Sequence, residues 1–288
     1  MFNLTDEMRK LLPERRRDAH KGDCGRIFIL GGCAGMTGAV CLSAMGSLRS
    51  GAGLVTVGTA ESERGIVACK LTEAMTMGFE SVSGHITGSD REKILGFAEK
   101  SDVLVLGPGM GRESGTRELI CWLVENVKTK IVLDADGLNA VSMNIDILKG
   151  RKGETILTPH EGEMSLLCGK SVEEIRVNRE KTAVDFAKEY GVTLILKGKN
   201  TVVTNGTEVF INITGNPGMA TGGSGDVLSG VIGSLLGQGM TTYDASVLGT
   251  YIHGRAGDMA KSDKGEMGLI ASDIVYNLPY AIKELSGE

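Results

Sequence analysis

Six short apolar runs recur along the chain, RIFIL (26–30), LVTVG (54–58), DVLVLG (102–107), KIVLD (130–134), TILT (155–158) and TLILK (193–197), alternating with helical patterns along most of it. Near-continuous apolar strands of this kind are covered on both faces, and strands joined through helices run parallel. The pattern predicts an α/β layered fold in which a largely parallel central sheet is flanked by helices. After the last run, two alternating segments surround Asn205-Gly206, residues that tolerate positive φ and so predict an antiparallel hairpin. Helices are expected over 38–50, 114–127, 171–190, 226–236, 242–260 and 272–285, and the charged first twenty residues read as a surface helix.

A chain of 288 residues with 41% hydrophobic content can bury one large core, and no proline- or serine-rich linker divides it, so residues 1–288 are expected to form a single domain. The net charge of −5 argues against a nucleic-acid or anionic-membrane partner. The compact basic run, Arg15 to Arg17, reads as a solvated or subunit-contact face. Residues 27–48 carry no charge, but their five glycines, with Thr37 and Ser43, suit a strand, a glycine loop and a buried helix better than a membrane span. Six cysteines without a CxxC pair imply reduced thiols, a cytoplasmic location and no structural zinc. The amino terminus lacks the apolar segment of a signal peptide.

The chemistry concentrates in NPGMATGGSGDVLSG (216–230), where Gly222, Gly223, Ser224 and Gly225 stand directly before Asp226. Apolar residues then fall at 227, 228, 231, 232, 235 and 236, a helical stripe, while Ser229, Gly230, Gly233 and Ser234 leave the other side small enough for close packing. A glycine loop at a helix start offers unbonded N–H groups and the positive end of a dipole, a site for phosphate. Asp226 then has two open roles: an N-cap, or a general base taking a proton from an attacking hydroxyl. Other phosphate motifs fail. CGKS (168–171) has Met164 where a P-loop needs glycine, and GGCAGMTG (31–38) lacks GxGxxG spacing and an acidic residue after the next strand.

The GSGD block opening a late helix resembles the anion hole and catalytic aspartate of ribokinase-like kinases. HKGDCGRIFILGG, GMTGAVCLSAMGSLRSGAGLVTV, LGPGMG, DADGLNAV, LTPHEGEM, LKGKNTVVT and NPGMATGGSGDVLSG occur in order from His20 to Gly230. Together they are similar to the ADP/ATP-dependent NAD(P)H-hydrate dehydratases of that superfamily. The resemblance implies repair of hydrated NADH or NADPH, with ADP converted to AMP (or ATP to ADP) and phosphate released. It implies Asp226 as the base, and Gly222, Gly223, Ser224 and Gly225 as the anion hole. A vitamin-precursor or small-alcohol kinase would share GSGD but not the HKG and PHEGEM blocks. A noncatalytic nucleotide-binding regulator would be expected to have lost the aspartate.

Residue by residue, the resemblance places Lys197, Gly198, Lys199, Asn200, Thr201, Asn216 and Gly225 against the nucleotide. Ala39, Gly109, His160 and Asp226 would contact the hydrated dinucleotide. The lysines read alternatively as exposed strand-end charges, Gly109 as a tight turn, and His160 as a satisfied polar group. Glu163 corresponds to the glutamate that organises magnesium in the kinases, in an HxxE rather than NxxE setting. Asp134 and Asp136 read equally as cation holders or caps. Magnesium would arrive with the nucleotide. Gly223 and Ser224 stand where relatives commonly have alanine and threonine, which keeps the loop small. The same resemblance implies that the chain corresponds to the dehydratase half of bifunctional relatives, that a separate epimerase would serve it, and that it would be a homo-oligomer.

Overall fold

The computed structural model describes residues 4–287. The helices are α1 Leu4–Leu11, α2 Thr37–Arg49, α3 Glu61–Lys70, α4 Arg91–Ala98, α5 Ser114–Asn126, α6 Asp136–Val141, α7 Glu161–Cys168, α8 Val172–Val177, α9 Arg179–Tyr190, α10 Ser224–Gly237, α11 Thr242–Gly268 and α12 Ala271–Ser286. The strands are β1 Arg26–Leu30, β2 Leu54–Ala60, β3 Met75–Phe79, β4 Ser81–Val82, β5 His85–Ile86, β6 Val103–Leu106, β7 Lys130–Leu133, β8 Thr155–Leu157, β9 Thr193–Leu196, β10 Thr201–Thr204 and β11 Val209–Asn212.

Nine strands form one sheet in the order β11-β10-β9-β8-β7-β6-β1-β2-β3. Pairings from β3 to β9 are parallel, and β10 runs antiparallel to both β9 and β11. Each inner strand divides its side chains by period two between the sheet's faces. Ile27, Ile29, Val103, Val105, Val132, Ile156 and Ile195 join α1, α2, α3, α10, α11 and α12 in one core. Phe28, Leu30, Leu104, Leu106, Leu133, Leu157 and Leu194 face the other, with α4 to α9. One core is thus lined mostly by β-branched strand residues, the other mostly by leucine and phenylalanine.

Against α2, α10 packs main chain to main chain. A Cβ on Gly46 would stand 2.5 Å from the Val227 carbonyl, and one on Gly230 would strike the Ser43 carbonyl. Ser47 Oγ donates to the Gly230 carbonyl at 2.8 Å across the same seam. The small side of α10 expected from its sequence is this seam, together with Gly233, which meets Val105 of the sheet.

All six expected strands and the Asn205-Gly206 hairpin are present. Four expectations need correction. The helix expected over 242–260 runs on to Gly268 across a kink at Gly265. The helix expected over 171–190 is two helices, because Asn178 (φ −126°, ψ 41°) ends α8 and starts α9. Asparagine's short amide competes for backbone bonds and favours such ends. The helix expected from Asp226 begins at Ser224. The amino-terminal helix stops at Leu11, and it is not purely a surface element: Met8 is buried against the core of α11 and α12.

Candidate active site

β1, β6, β7, β8 and β9 release their chains at one edge of the sheet, where ligands gather in α/β folds. A cleft of about 1240 Å³ opens there, lined by Asp134, His160, Lys197, Asn216, Gly225 and Asp226 among others.

Lys197 follows β9, and its Nζ lies 3.1 Å from Asp134 Oδ1, at the end of β7, and 3.8 Å from Glu163 Oε2 on α7. Thr158 donates to the same Asp134 oxygen at 2.6 Å. Burial opposes the lysine's charge, but Asp134, Glu163 and Asp226 outweigh it and raise its pKa. Burial likewise raises the Glu163 pKa, with Asp134 adding to it and Lys197 opposing. A Cβ on Gly225 would stand 3.1 Å from Lys197 Nζ, so the ammonium sits over the start of α10.

The N-cap of α10 is Gly223, at φ 92°, and Asp226 is the third helical residue. Asp226 is therefore not the N-cap, and Gly223, which holds that position, makes no side-chain cap bond. Asp226 lines the cleft instead, its carboxyl pushed up to about 7 by burial first, then by Asp134, Asp136 and Glu163, with Lys197 offsetting part of the rise. A carboxylate so poised can take a proton near neutral pH. Among the described residues, the Gly225 and Asp226 N–H groups bond to no backbone carbonyl, whereas Ser224 N reaches Thr221 O at 3.4 Å and Val227 N reaches Gly223 O at 3.1 Å. Gly222 faces open space, while Gly223 packs on Leu42 and Ala271.

The segment expected to meet a nucleotide forms a second wall. Thr201 Oγ1 donates to the Gly198 carbonyl at 2.9 Å, Asn200 takes φ 56°, and Lys199 and Asn200 are exposed. Opposite runs 212–219, where Asn216 Nδ2 donates to Asp258 Oδ1 and Gly215 N to Asp258 Oδ2, both at 3.0 Å. His160 Nδ1 accepts the N–H groups of Gly162 and Glu163 at 3.0 and 3.2 Å, while Glu163 Oε2 accepts His160 N–H at 2.8 Å. Histidine thus supplies the reciprocal cap of α7 as well as cleft wall.

Ala39 and Gly109 meet each other rather than Lys197: a Cβ on Gly109 would stand 3.0 Å from that of Ala39. They lie where the chain order reverses between β1 and β6, outside the lining of the cleft. Asp136 serves this half of the site, accepting Gly111 N–H at 2.8 Å and facing Arg112 Nε at 3.3 Å. Between the two aspartates Ala135 takes φ 47°, ψ −115°, a strained conformation for alanine that sends its neighbours to different partners.

Among the described residues, no three His, Cys, Asp or Glu side chains group as a metal cage. Hard carboxylate oxygens beside an anion site still fit magnesium, which keeps waters and binds through one or two carboxylates plus phosphate.

A family model described as NAD(P)H-hydrate dehydratase matches residues 27–279. The chain belongs to the NAD(P)H-hydrate dehydratase family. It is 42% identical over 282 residues to the bifunctional NAD(P)H-hydrate repair enzyme Nnr of Moorella thermoacetica, covering 97% of this chain and 53% of that one. The chain thus spans about half the length of such bifunctional relatives. It is 35% identical to the ADP-dependent (S)-NAD(P)H-hydrate dehydratase of Neisseria meningitidis serogroup B, with 95% and 94% covered. The crystal structure of the ADP/ATP-dependent NAD(P)H-hydrate dehydratase of Bacillus subtilis, co-crystallised with ATP and magnesium, superposes with a TM-score of 0.83 at 27% identity, covering 98% and 97%. Ribokinase from Thermotoga maritima superposes with a TM-score of 0.59 at 17% identity over 90% of this chain, a likeness of fold alone. The fold is ribokinase-like.

Three cleft-side residues of this NAD(P)H-hydrate dehydratase family member escaped the sequence reading. His253 interrupts an otherwise apolar and small stretch of α11, a signal that was there to find. Asp258 and Arg179 carried none. Arg179 ties its guanidinium to the Leu196 carbonyl at 2.9 Å and to Glu161 Oε1 at 2.6 Å, bracing the end of β9 against α7.

Proposed function

We propose that the protein returns hydrated NADH or NADPH to the intact cofactor, converting ADP to AMP, or ATP to ADP, and releasing phosphate. The observation that carries this reading is Asp226, poised near neutrality beside free N–H groups and Lys197. Asp226 takes the proton of the ring hydroxyl, whose oxygen attacks the terminal phosphorus. The phosphorus–oxygen bond to the remaining nucleotide breaks. The N–H groups of Gly222, Gly223 and Gly225, with Lys197, hold the charge developing on the phosphoryl oxygens, that of Ser224 being turned to the Thr221 carbonyl. The phosphorylated ring then loses phosphate and a proton from the neighbouring carbon, restoring the double bond. Phosphate leaves far more readily than hydroxide, which is what phosphorylation achieves.

Lys199, Asn200, Thr201, Gly198 and Asn216 line the proposed nucleotide side; His160, from the cleft wall, and Ala39 and Gly109, beyond it, would meet the hydrated dinucleotide. Magnesium bound with the nucleotide would neutralise phosphate charge, and Glu163 would be the carboxylate that holds it. The reading calls for an epimerase to supply the reactive hydrate epimer, and for a cytoplasmic homo-oligomer. No described helix is long and apolar enough to cross a membrane.

The test is to incubate the protein with hydrated NADH, magnesium and ADP or ATP, following dihydronicotinamide absorbance and phosphate. Recovery of absorbance matched by phosphate, only with nucleotide present, supports the reading. Recovery without nucleotide overturns it, and a stable phosphorylated product would mark a kinase.

A further inference from the structure

His253 is a buried titratable side chain on the cleft wall, and the proposed chemistry leaves it without a task. Its Nε2 lies 2.9 Å from the Ser224 carbonyl oxygen. A carbonyl only accepts, so Nε2 carries the hydrogen and donates. Burial holds the imidazole's pKa down to about 4, with Lys197 lowering it further and the bond to Ser224 opposing, so the ring is neutral at physiological pH and that tautomer is fixed. Ser224 Oγ, 3.5 Å from the same nitrogen, is the other polar atom facing it.

The Ser224 carbonyl and the Gly225 N–H belong to one peptide unit. That unit is planar, with its oxygen and hydrogen on opposite sides. Gripping the oxygen from α11 therefore orients the hydrogen, and Gly225 N–H is one of the groups without a backbone partner at the start of α10. A hydrogen bond accepted by an amide oxygen also polarises the amide and strengthens its N–H as a donor. Glycine has no Cβ to restrain this plane by packing, and at position 225 none would fit easily beside Lys197.

We propose that His253 is a positioning residue: through the Ser224 carbonyl it aims and strengthens the Gly225 N–H that holds the transferring phosphoryl group. The inference rests on the function proposed above. Its role is strongest where phosphoryl charge is greatest, so it acts on turnover more than on nucleotide affinity.

Three variants separate positioning from packing. H253F keeps bulk and removes the donor, H253Q places an amide donor near the former Nε2, and H253A removes both. Turnover of hydrated NADH should fall about tenfold or more in H253F, with the dissociation constant for ADP changed less than about threefold, and H253Q should recover most of the loss. In parallel, the Gly225 amide nitrogen and proton resonances, followed in ADP plus inorganic phosphate, should move downfield in wild type and in H253Q but not in H253F. Equal losses in H253F and H253Q that track melting temperature, or the same Gly225 shift in all variants, would overturn the proposal. If wild type itself shows no dehydration, the functional reading fails, while the Gly225 resonances still decide the role of His253.

Discussion

Lys197 Nζ meets Asp134 Oδ1 at 3.1 Å across the end of β8, joining the strands on either side of it. The ammonium is thereby held at the start of α10 with little freedom to swing. Lys199, two residues on, is exposed and free to follow a ligand. The two lysines should therefore behave differently.

Lys197→Met leaves Asp134 and Glu163 without their cation, and removing one partner of a partly buried pair typically costs about 3 kcal/mol. Urea unfolding should register that loss along with collapse of turnover. Lys199→Ala should leave stability unchanged and weaken ADP binding a few-fold, read by calorimetry. Equal stability losses in both would show that the pair at Asp134 contributes nothing.

Asp226→Asn should slow turnover by about 10²-fold or more, the scale of lost general-base catalysis, while ADP affinity holds within a few-fold. Stability moves the other way. The carboxyl titrates at about 7 in the fold against 3.8 as its ordinary value. The native state keeps a proton that the unfolded chain releases, so stability falls as pH rises from about 4 to about 7 and is level beyond. Asparagine removes that penalty. The variant should melt higher than wild type at pH 8, by the equivalent of roughly 2 kcal/mol after screening, and no higher at pH 4. Thermal scans at both values provide the check.

The same group sets the acid limb of activity. Initial rates should climb about tenfold per pH unit below about 7 and flatten above it. Asp134→Asn withdraws one of the charges that raise Asp226, so the limb should move to lower pH. A limb that stays in place would assign it to another group.

Ala135→Gly should stabilise the protein by about 1 kcal/mol, since glycine adopts the strained backbone at φ 47° freely and loses only part of that gain to chain entropy. A measured loss of stability in denaturant titration would contradict the strain.

Gly230→Ala should destabilise by about 2 kcal/mol or more, because its methyl group would enter the Ser43 carbonyl. Gly65→Ala, within α3 where nothing lies within 4 Å of an added Cβ and φ is not positive, is the control and should lose no stability. A similar loss at Gly65 would rule out close packing as the cause at Gly230.

The inner strands were legible because they are covered on both faces and their apolar runs leave no second interpretation. β3 was not, since MTMGF is an edge strand with Met75 exposed and a glycine inside it. α6 and α7 were missed because each follows a strand end so closely, at DADG and PHEGEM, that the motif masked the helix. The GGSG loop pointed to an anion, but the helix start lay two residues early, because Gly223 rather than an acid fills the cap. The division of labour between Asp134 and Asp136 depends on one unusual backbone angle at Ala135, which no side-chain pattern announces.

The seam between α2 and α10 acts as a gauge block. Ala39 sits at the head of one helix and Asp226 at the head of the other, and the two axes are spaced by peptide groups in direct contact. The spacing between those two helix heads is set by van der Waals contact between main-chain atoms, with no side chain between them to repack. Substitutions can accumulate in the leucine-rich core around α4 and α5, on the far face of the sheet, while the spacing of Ala39 and Asp226 stays the same.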